Sequence, residues 1–251
     1  MTDLCQRLDW DSDFFGFNIG RANVNQLTAA TLTQIETWCV EQPVDCLYFL
    51  ADSADRQTAW LAQQGGFIYV DNRVVLTAKL TAPPPQPTAI RLSRPEDLPV
   101  LREIARTGHR DSRFYFDPVI PDNRCDDLFV TWIERSMAGA IADAVLVALV
   151  DEQPVGYSAL QIAQTPEGRR AKLTLIAIGE QARGQGLGSS LVQGTLRWFW
   201  ERDFRTVEVV TQGRNVGAQR LYTRQGFVPT ATGSWYHRWS TAVLARQRKL
   251  G

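Results

Sequence analysis

Apolar residues follow two rhythms along the chain. Alternating or continuous apolar runs at Cys46–Leu50, Val74–Leu80, Ile90–Leu92, Ala144–Val150, Val155–Ala163, Lys172–Ile178, 206–211 and 227–238 predict strands. Helical spacing predicts helices over Thr33–Gln42, Ser53–Gln64, Cys125–Ala138, 189–201 and 215–225, and another that Ser93 would cap ahead of Pro95, Glu96 and Asp97. Asp151-Glu152-Gln153-Pro154 marks a hairpin, and His109–Asn123, with Pro118 and Pro121, reads as irregular. The order implies an α/β (α+β) fold: a mixed, mostly antiparallel sheet flanked by helices.

Thr81-Ala-Pro-Pro-Pro-Gln-Pro-Thr88 punctuates this pattern, since four prolines in eight residues suit a stiff extended spacer. It predicts a smaller first domain over 1–80, a linker at 81–88, a main domain over 89–240 and a tail at 241–251. The two parts share an echo. Leu61-Ala-Gln-Gln-Gly-Gly-Phe67 and Leu221-Tyr-Thr-Arg-Gln-Gly-Phe227 each read as a helix closed by Gly-Phe before a strand. In the first copy Ala62 stands where the second has Tyr222, and no glycine loop precedes it, so residues 1–80 read as a degenerate half-copy without chemistry. An exposed edge on the last strand would permit a homodimer.

Composition narrows the function. Lys+Arg and Asp+Glu both number 27, a balance that argues against a nucleic-acid partner. No apolar run approaches a membrane span, and no basic-then-apolar leader opens the chain. Cys5, Cys39, Cys46 and Cys125 lack metal-ligand spacing, so buried reduced thiols and a cytoplasmic location are expected, with no metal.

The chemistry concentrates after Ile178. There an apolar strand runs into Arg183-Gly184-Gln185-Gly186-Leu187-Gly188-Ser189 and then an amphipathic helix. Glycines let the backbone approach a ligand, and free amides at a helix start favour an anion, so the loop reads as a pyrophosphate cradle with Arg183 beside it. Two cradles fit. One is the dinucleotide fingerprint counted from Gly184, with Ser189 at its third small position. The other is Arg/Gln-x-x-Gly-x-Gly/Ala, filled by Arg183, Gly186 and Gly188, which resembles the acetyl-CoA loop of the GNAT superfamily of N-acetyltransferases. The block Asn215-Val-Gly-Ala218-Gln-Arg-Leu221-Tyr222-Thr-Arg-Gln-Gly226-Phe227 decides for the second: it resembles a further signature of that superfamily and has no place in a dinucleotide domain.

A narrower resemblance covers most of the chain. Leu8-Asp-Trp-Asp-Ser-Asp-Phe-Phe-Gly-Phe-Asn-Ile-Gly20, Ser112-Arg113-Phe114 and Phe129-Val-Thr-Trp-Ile-Glu134 resemble the TDP-fucosamine acetyltransferase family. That resemblance implies acetyl transfer from acetyl-CoA, the cosubstrate, to a TDP-4-amino-4,6-dideoxyhexose for surface polysaccharide synthesis. It implies Tyr222 as general acid, supported by Asn215. The cofactor would lie along Leu175, Ile176, Ala177, Ile178, Arg183, Gly184, Gln185, Gly186, Leu187, Gly188, Ser189, Asn215, Ala218 and Tyr222, with the strand at 173–178 splayed from 206–211 to receive the pantetheine arm. A backbone amide near Ala177 or Ile178 would meet the oxyanion. Arg113, Phe114 and Tyr115 are the expected acceptor site, with Arg113 as a fork for a diphosphate. No glutamate lies on the central strand, Glu180 falls beyond it, and His109 reads as a surface or structural residue, so no base is assigned. A peptide α-amine, polyamine or other small amine as acceptor, or a silent CoA-binding protein, are the alternatives.

Overall fold

The computed structural model describes residues 3–166 and 168–247. Ten strands form one sheet. They are β1 (Cys5–Arg7), β2 (Ile19–Ala22), β3 (Cys46–Asp52), β4 (Ile68–Lys79), β5 (Ile90–Leu92), β6 (Ala144–Val150), β7 (Gln153–Thr165), β8 (Gly168–Ile178), β9 (Thr206–Gln212) and β10 (Phe227–Trp239). Their order is β1-β2-β3-β10-β4-β9-β8-β7-β6-β5. Pairing is antiparallel except for β2–β3 and β8–β9. Around the sheet lie α1 (Asp9–Phe15), α2 (Ala29–Glu41), α3 (Arg56–Gln64), α4 (Leu98–Gly108), α5 (Asp122–Met137), α6 (Leu187–Trp200), α7 (Val216–Arg224) and α8 (Thr241–Gln247). The mixed α/β class expected from the sequence is what the chain adopts.

The halves are interleaved. The strands β3 and β9 and the helices α3 and α7 share a constant displacement of 160 positions (46 to 206, 52 to 212, 56 to 216, 64 to 224). Asp55 and Asn215 cap α3 and α7 in the same manner, each accepting from the amide three residues on. Each half then gives its last strand to the other: β10 lies between β3 and β4, and β4 between β10 and β9. One sheet therefore runs through both halves, and the proline-rich stretch does not separate two sheets. The echo around Gly66 and Gly226 is the local trace of this repeat.

This exchange corrects the expected free edge on the last strand. Both sides of β10 are hydrogen-bonded, to β3 and to β4, and the sheet ends instead at β1 and β5. Other boundaries shift for local reasons. The helix α2 begins at Ala29, not Thr33, because Thr28 and Thr31 form a reciprocal capping box. Ser93 does not cap: Asp97 takes that part, accepting from the Arg94 amide at 2.7 Å and gripping Arg91 through two hydrogen bonds, and a 3-10 turn at Pro95–Asp97 leads into α4. The strand β4 starts six residues before the sequence pattern suggested; Asp71, Asn72 and Arg73 interrupt its hydrophobicity, and Asp71 and Arg73 line a cavity. Residues 241–247 of the expected tail are α8; 248–251 lie outside the described residues.

Apolar clusters fill both faces. Phe199, Leu191, Val192 and Leu196 of α6 pack with Leu76, Leu173, Val207 and Phe227 of the central strands. A second cluster joins Phe49, Leu61, Ala62, Phe67 and Tyr236 across both halves. All four cysteines are buried and free, and burial raises the pKa of the Cys5 and Cys125 thiols to about 12, so they stay protonated. Among the described residues no helix is long and apolar enough to cross a membrane.

Candidate active site

The site forms where β8 and β9 part. These strands pair in parallel only at Ala171–Leu173 with Val207–Val209. Past Leu173 the β8 backbone keeps β7 on one side and has no strand on the other. The Gly179 amide bonds to the Val155 carbonyl on the β7 side. Antiparallel alternation then turns the backbone groups of Ile178 and Ile176 toward the gap. Arg183 Nε reaches the Ile178 carbonyl from that side at 3.2 Å. Of the two amides expected near the oxyanion, Ile178 faces the opening and Ala177 faces β7.

The glycine loop closes the mouth of the gap. Gly184 and Gly186 have φ of 78° and 80°, a conformation that costs side-chain-bearing residues about 1–2 kcal/mol. Gly186 precedes α6 with no side-chain cap, and while the Ser189 amide bonds back to the Gly186 carbonyl, those of Leu187 and Gly188 are left for an anion. A 540 Å³ cavity runs along this surface, lined by Ile176, Ala177, Ile178, Arg183, Gly184, Gly186, Leu187, Gly188, Asn215, Ala218 and Leu221. Gln185 and Ser189 do not line it.

A second cavity of 270 Å³ adjoins the first, sharing Gly108, Asp111, Ile176, Asn215 and Ala218 with it. Tyr222, 3 % exposed, lines it with Leu175 and Thr174. Burial raises the Tyr222 pKa above its usual 10, so the phenol is protonated at neutral pH. Asn215 supports it indirectly, capping α7 by accepting from the Ala218 amide at 2.9 Å. Arg113 and Phe114 also line the cavity. Tyr115 does not: its hydroxyl donates to Asp126 at 2.7 Å and its ring stacks on Phe129, because the 3-10 turn at Arg113–Phe116 points successive side chains in different directions.

Two residues outside the sequence reading, Asp71 and Arg73, and the two histidines complete the picture. Asp71 and Arg73 enter the cavity from β4. Asp71 is 3 % exposed, and its Oδ1 has no hydrogen-bond partner among the described residues. Burial raises its pKa from 3.8 to about 6, against the pull of Arg214, whose Nη2 stands 3.6 Å away. A carboxylate in that state accepts a proton near neutral pH. His109 also lines the cavity, but it is buried, stacks on Phe129 at 4.3 Å and shares a 2.7 Å hydrogen bond with the Tyr157 hydroxyl; burial lowers its pKa to about 4, leaving it neutral. It lies inside the protein, not at its surface. His237 lies fully buried behind Arg113. Polar residues inside an otherwise apolar strand were the available signal for Asp71, but their partners are distant in sequence.

This arrangement, a splayed parallel pair ended by a glycine loop beside a buried tyrosine, coincides with a family match. Residues 109–227 match the acetyltransferase (GNAT) family. The chain carries a GNAT acetyltransferase domain. The matched domain is that of acyl-CoA-dependent N-acetyltransferases, and GNAT enzymes use acetyl-CoA. The chain is 26 % identical over 235 residues to a dTDP-fucosamine acetyltransferase of Escherichia coli O6:H1, covering 92 % of this chain and 96 % of that one. It is 28 % identical over 167 residues to the spore coat polysaccharide biosynthesis protein SpsD of Bacillus subtilis, covering 64 % of this chain and 56 % of that protein. In fold it is similar to a GCN5-related N-acetyltransferase from Sphaerobacter thermophilus, with a TM-score of 0.66 at 16 % identity over 94 % of this chain and 76 % of that one.

Proposed function

We propose that this enzyme transfers an acetyl group from acetyl-CoA to the 4-amino group of a TDP-4-amino-4,6-dideoxyhexose in the cytoplasm, for surface polysaccharide synthesis. The observation that carries the reading is the content of one cavity. A buried carboxylate, Asp71, whose Oδ1 accepts no hydrogen bond among the described residues, and a guanidinium, Arg113, stand with the protonated Tyr222 beside the cavity of the glycine loop. An acceptor that brings both an amine and an anionic group answers that pattern. The nearly full-length similarity to a dTDP-fucosamine acetyltransferase supports the same acceptor class.

In this reading the CoA pyrophosphate rests on the amides after Gly186, and pantetheine pairs with the open side of β8. Asp71 takes a proton from the bound ammonium. The free amine attacks the thioester carbonyl, the C–N bond forms, and the Ile178 amide meets the oxyanion. The C–S bond then breaks, Tyr222 donates its proton to the departing thiolate, and the resulting phenolate takes the second proton that the nitrogen loses as it becomes the amide. Holding both reactants at the shared wall of the two cavities makes the encounter effectively unimolecular.

The test is mass spectrometry of the protein with acetyl-CoA and a panel of TDP-4-amino-4,6-dideoxyhexoses, with CoA release followed in parallel. A product heavier by one acetyl group with matching CoA release supports the proposal. Transfer only to peptides, polyamines or other small amines moves the acceptor class, and CoA binding without transfer to any amine leaves a silent CoA-binding protein.

A further inference from the structure

Arg113 is an incompletely paired cation in a buried setting. Its guanidinium carbon lies 4.4 Å from the Tyr48 ring centre, 4.2 Å from that of Phe114 and 4.4 Å from that of Trp235. Among the described residues no carboxylate comes within ion-pair distance of it, and its hydrogen-bond partner is a histidine, His237. A buried cation held by a neutral partner favours an anion from outside. Arg73, lining the same cavity, likewise has no carboxylate in ion-pair distance among the described residues.

Behind Arg113 a chain of hydrogen bonds runs into the core. Arginine only donates, so His237 Nε2 must accept from it. The other ring nitrogen, Nδ1, then carries the proton and donates to Asp117 Oδ2 at 2.5 Å. Asp117 is locked in turn: Trp239 Nε1 donates to its two oxygens at 3.1 and 2.9 Å, and the Val119 amide donates to Oδ1 at 2.8 Å. Tyr48 lies 4.4 Å from the imidazole, tilted over it. Cys46, Asp117 and His237 come within 4.8 Å of one another, a metal-like spacing, but both ring nitrogens are already committed and the Arg113 cation adjoins them.

We propose that Arg113 receives the phosphate or diphosphate of the acceptor, and that His237 and Asp117 are positioning residues that aim its guanidinium into the cavity. The assignment rests on the acceptor reading above and deepens it. Asp117 sets the histidine tautomer, the tautomer makes Nε2 an acceptor, and that acceptor with the three rings fixes the fork. The remaining N–H groups of Arg113 are then presented to the ligand without a competing carboxylate.

The experiment measures binding of inorganic pyrophosphate and of thymidine diphosphate to the full chain by calorimetry, with saturating CoA present so that the glycine loop is occupied. Arg113→Met should weaken both by at least about tenfold, the scale of a lost charge-assisted hydrogen bond. His237→Leu should weaken them similarly, and His237→Gln, which keeps an acceptor oxygen, should recover most of that loss. In turnover, the acceptor KM should rise while kcat and the acetyl-CoA KM hold. Where His237→Leu does not fold, nitrogen NMR of the wild type replaces it: Nε2 should be unprotonated and should shift when pyrophosphate binds. Equal pyrophosphate binding by wild type and Arg113→Met, or none by the wild type, overturns the proposal. Acetyl transfer to the nucleotide sugar with KM unchanged in Arg113→Met overturns it while leaving the acceptor reading intact. Arg113-dependent pyrophosphate binding without transfer to nucleotide sugars overturns the acceptor reading instead.

Discussion

The two halves of this sheet start from the same plan and end with opposite capacities. In the C-terminal half, the gap between β8 and β9 is open, the loop before α6 is glycine-rich, and α6 starts without a side-chain cap. In the N-terminal half, β2 and β3 pair in parallel only over Ile19–Arg21 with Cys46–Tyr48, which sets up the same gap. Here it is filled. The Asp52 amide bonds to the Asn25 carbonyl at 2.7 Å, Gln26 bonds to the Asp52 carboxylate at 3.1 Å, and Thr28 caps α2 with its own side chain. Asp52 and Asp55 occupy the places of Gln212 and Asn215, so the N-terminal counterpart of the cofactor surface carries two carboxylates where a pyrophosphate would need cations. Ala62, fully buried, replaces Tyr222. A few side chains distinguish a gap left open beside an uncapped glycine loop from one that the chain's own residues 25–28 occupy. The closed half still contributes, because β4 crosses over and carries Asp71 and Arg73 to the open one.

The largest expected effect tests the tyrosine that the N-terminal half lacks. Tyr222→Phe should lower kcat about 10²-fold, the scale of one acid–base group, with acetyl-CoA affinity unchanged by calorimetry. An unaltered kcat would remove the clearest chemical difference between the halves.

Asp71→Asn tests the loan from the closed half. Its kcat should fall about tenfold or more, and the loss of activity that the wild type shows as pH falls through about 6 should disappear from the pH–rate profile. Stability should move the other way. The folded pKa of Asp71 is raised, from 3.8 to about 6, so the folded state binds its proton more tightly than the unfolded chain does. Charging the group therefore destabilises the fold increasingly between those two pH values, and fully above about 6. Asp71→Asn should melt at a higher temperature than wild type at neutral pH, and the difference should vanish below pH 3.8.

Gly186→Val tests the open loop. A Cβ at Gly186 meets no atom within 4 Å, but φ is 80°, so the variant should lose about 1–2 kcal/mol of stability through backbone strain. The acetyl-CoA KM should rise about tenfold as the helix-start amides shift, near 1.4 kcal/mol of binding. The smallest effects separate the two caps. Asp55→Ala and Asn215→Ala should each cost about 1 kcal/mol in denaturant unfolding. Only Asn215→Ala should also raise the acetyl-CoA KM; a KM change in Asp55→Ala would mean that the N-terminal counterpart is still coupled to cofactor binding.

Much of this was legible in the chain, and particular residues show where legibility stopped. The loop Arg183–Ser189 and the block Asn215–Phe227 were readable because each is a contiguous strand–turn–helix or helix–turn–strand unit whose glycine, cap and apolar face answer local backbone demands. The echo at Leu61–Phe67 was readable for the same reason. Tyr115 was misplaced because adjacency to Arg113 in sequence says little about direction in a 3-10 turn. Asp71 hid inside what looked like a broken strand, and His237 near the end of the last strand gave no sign of Asp117, 120 positions earlier.

The sequence by itself determined most of the elements, the glycine-rich loop, the capped helix that carries Tyr222 and the internal repeat, since all of these follow from propensities and hydrogen bonds over a few residues. Only the tertiary structure decided that β10 and β4 change places between the halves. That exchange brings Asp71, Arg113 and Tyr222 to one cavity and stacks Asp117 and His237 beneath it. The physical reason is that strand order is set by long-range backbone pairing and by burial of both sheet faces, and neither leaves a local mark on the residues it brings together.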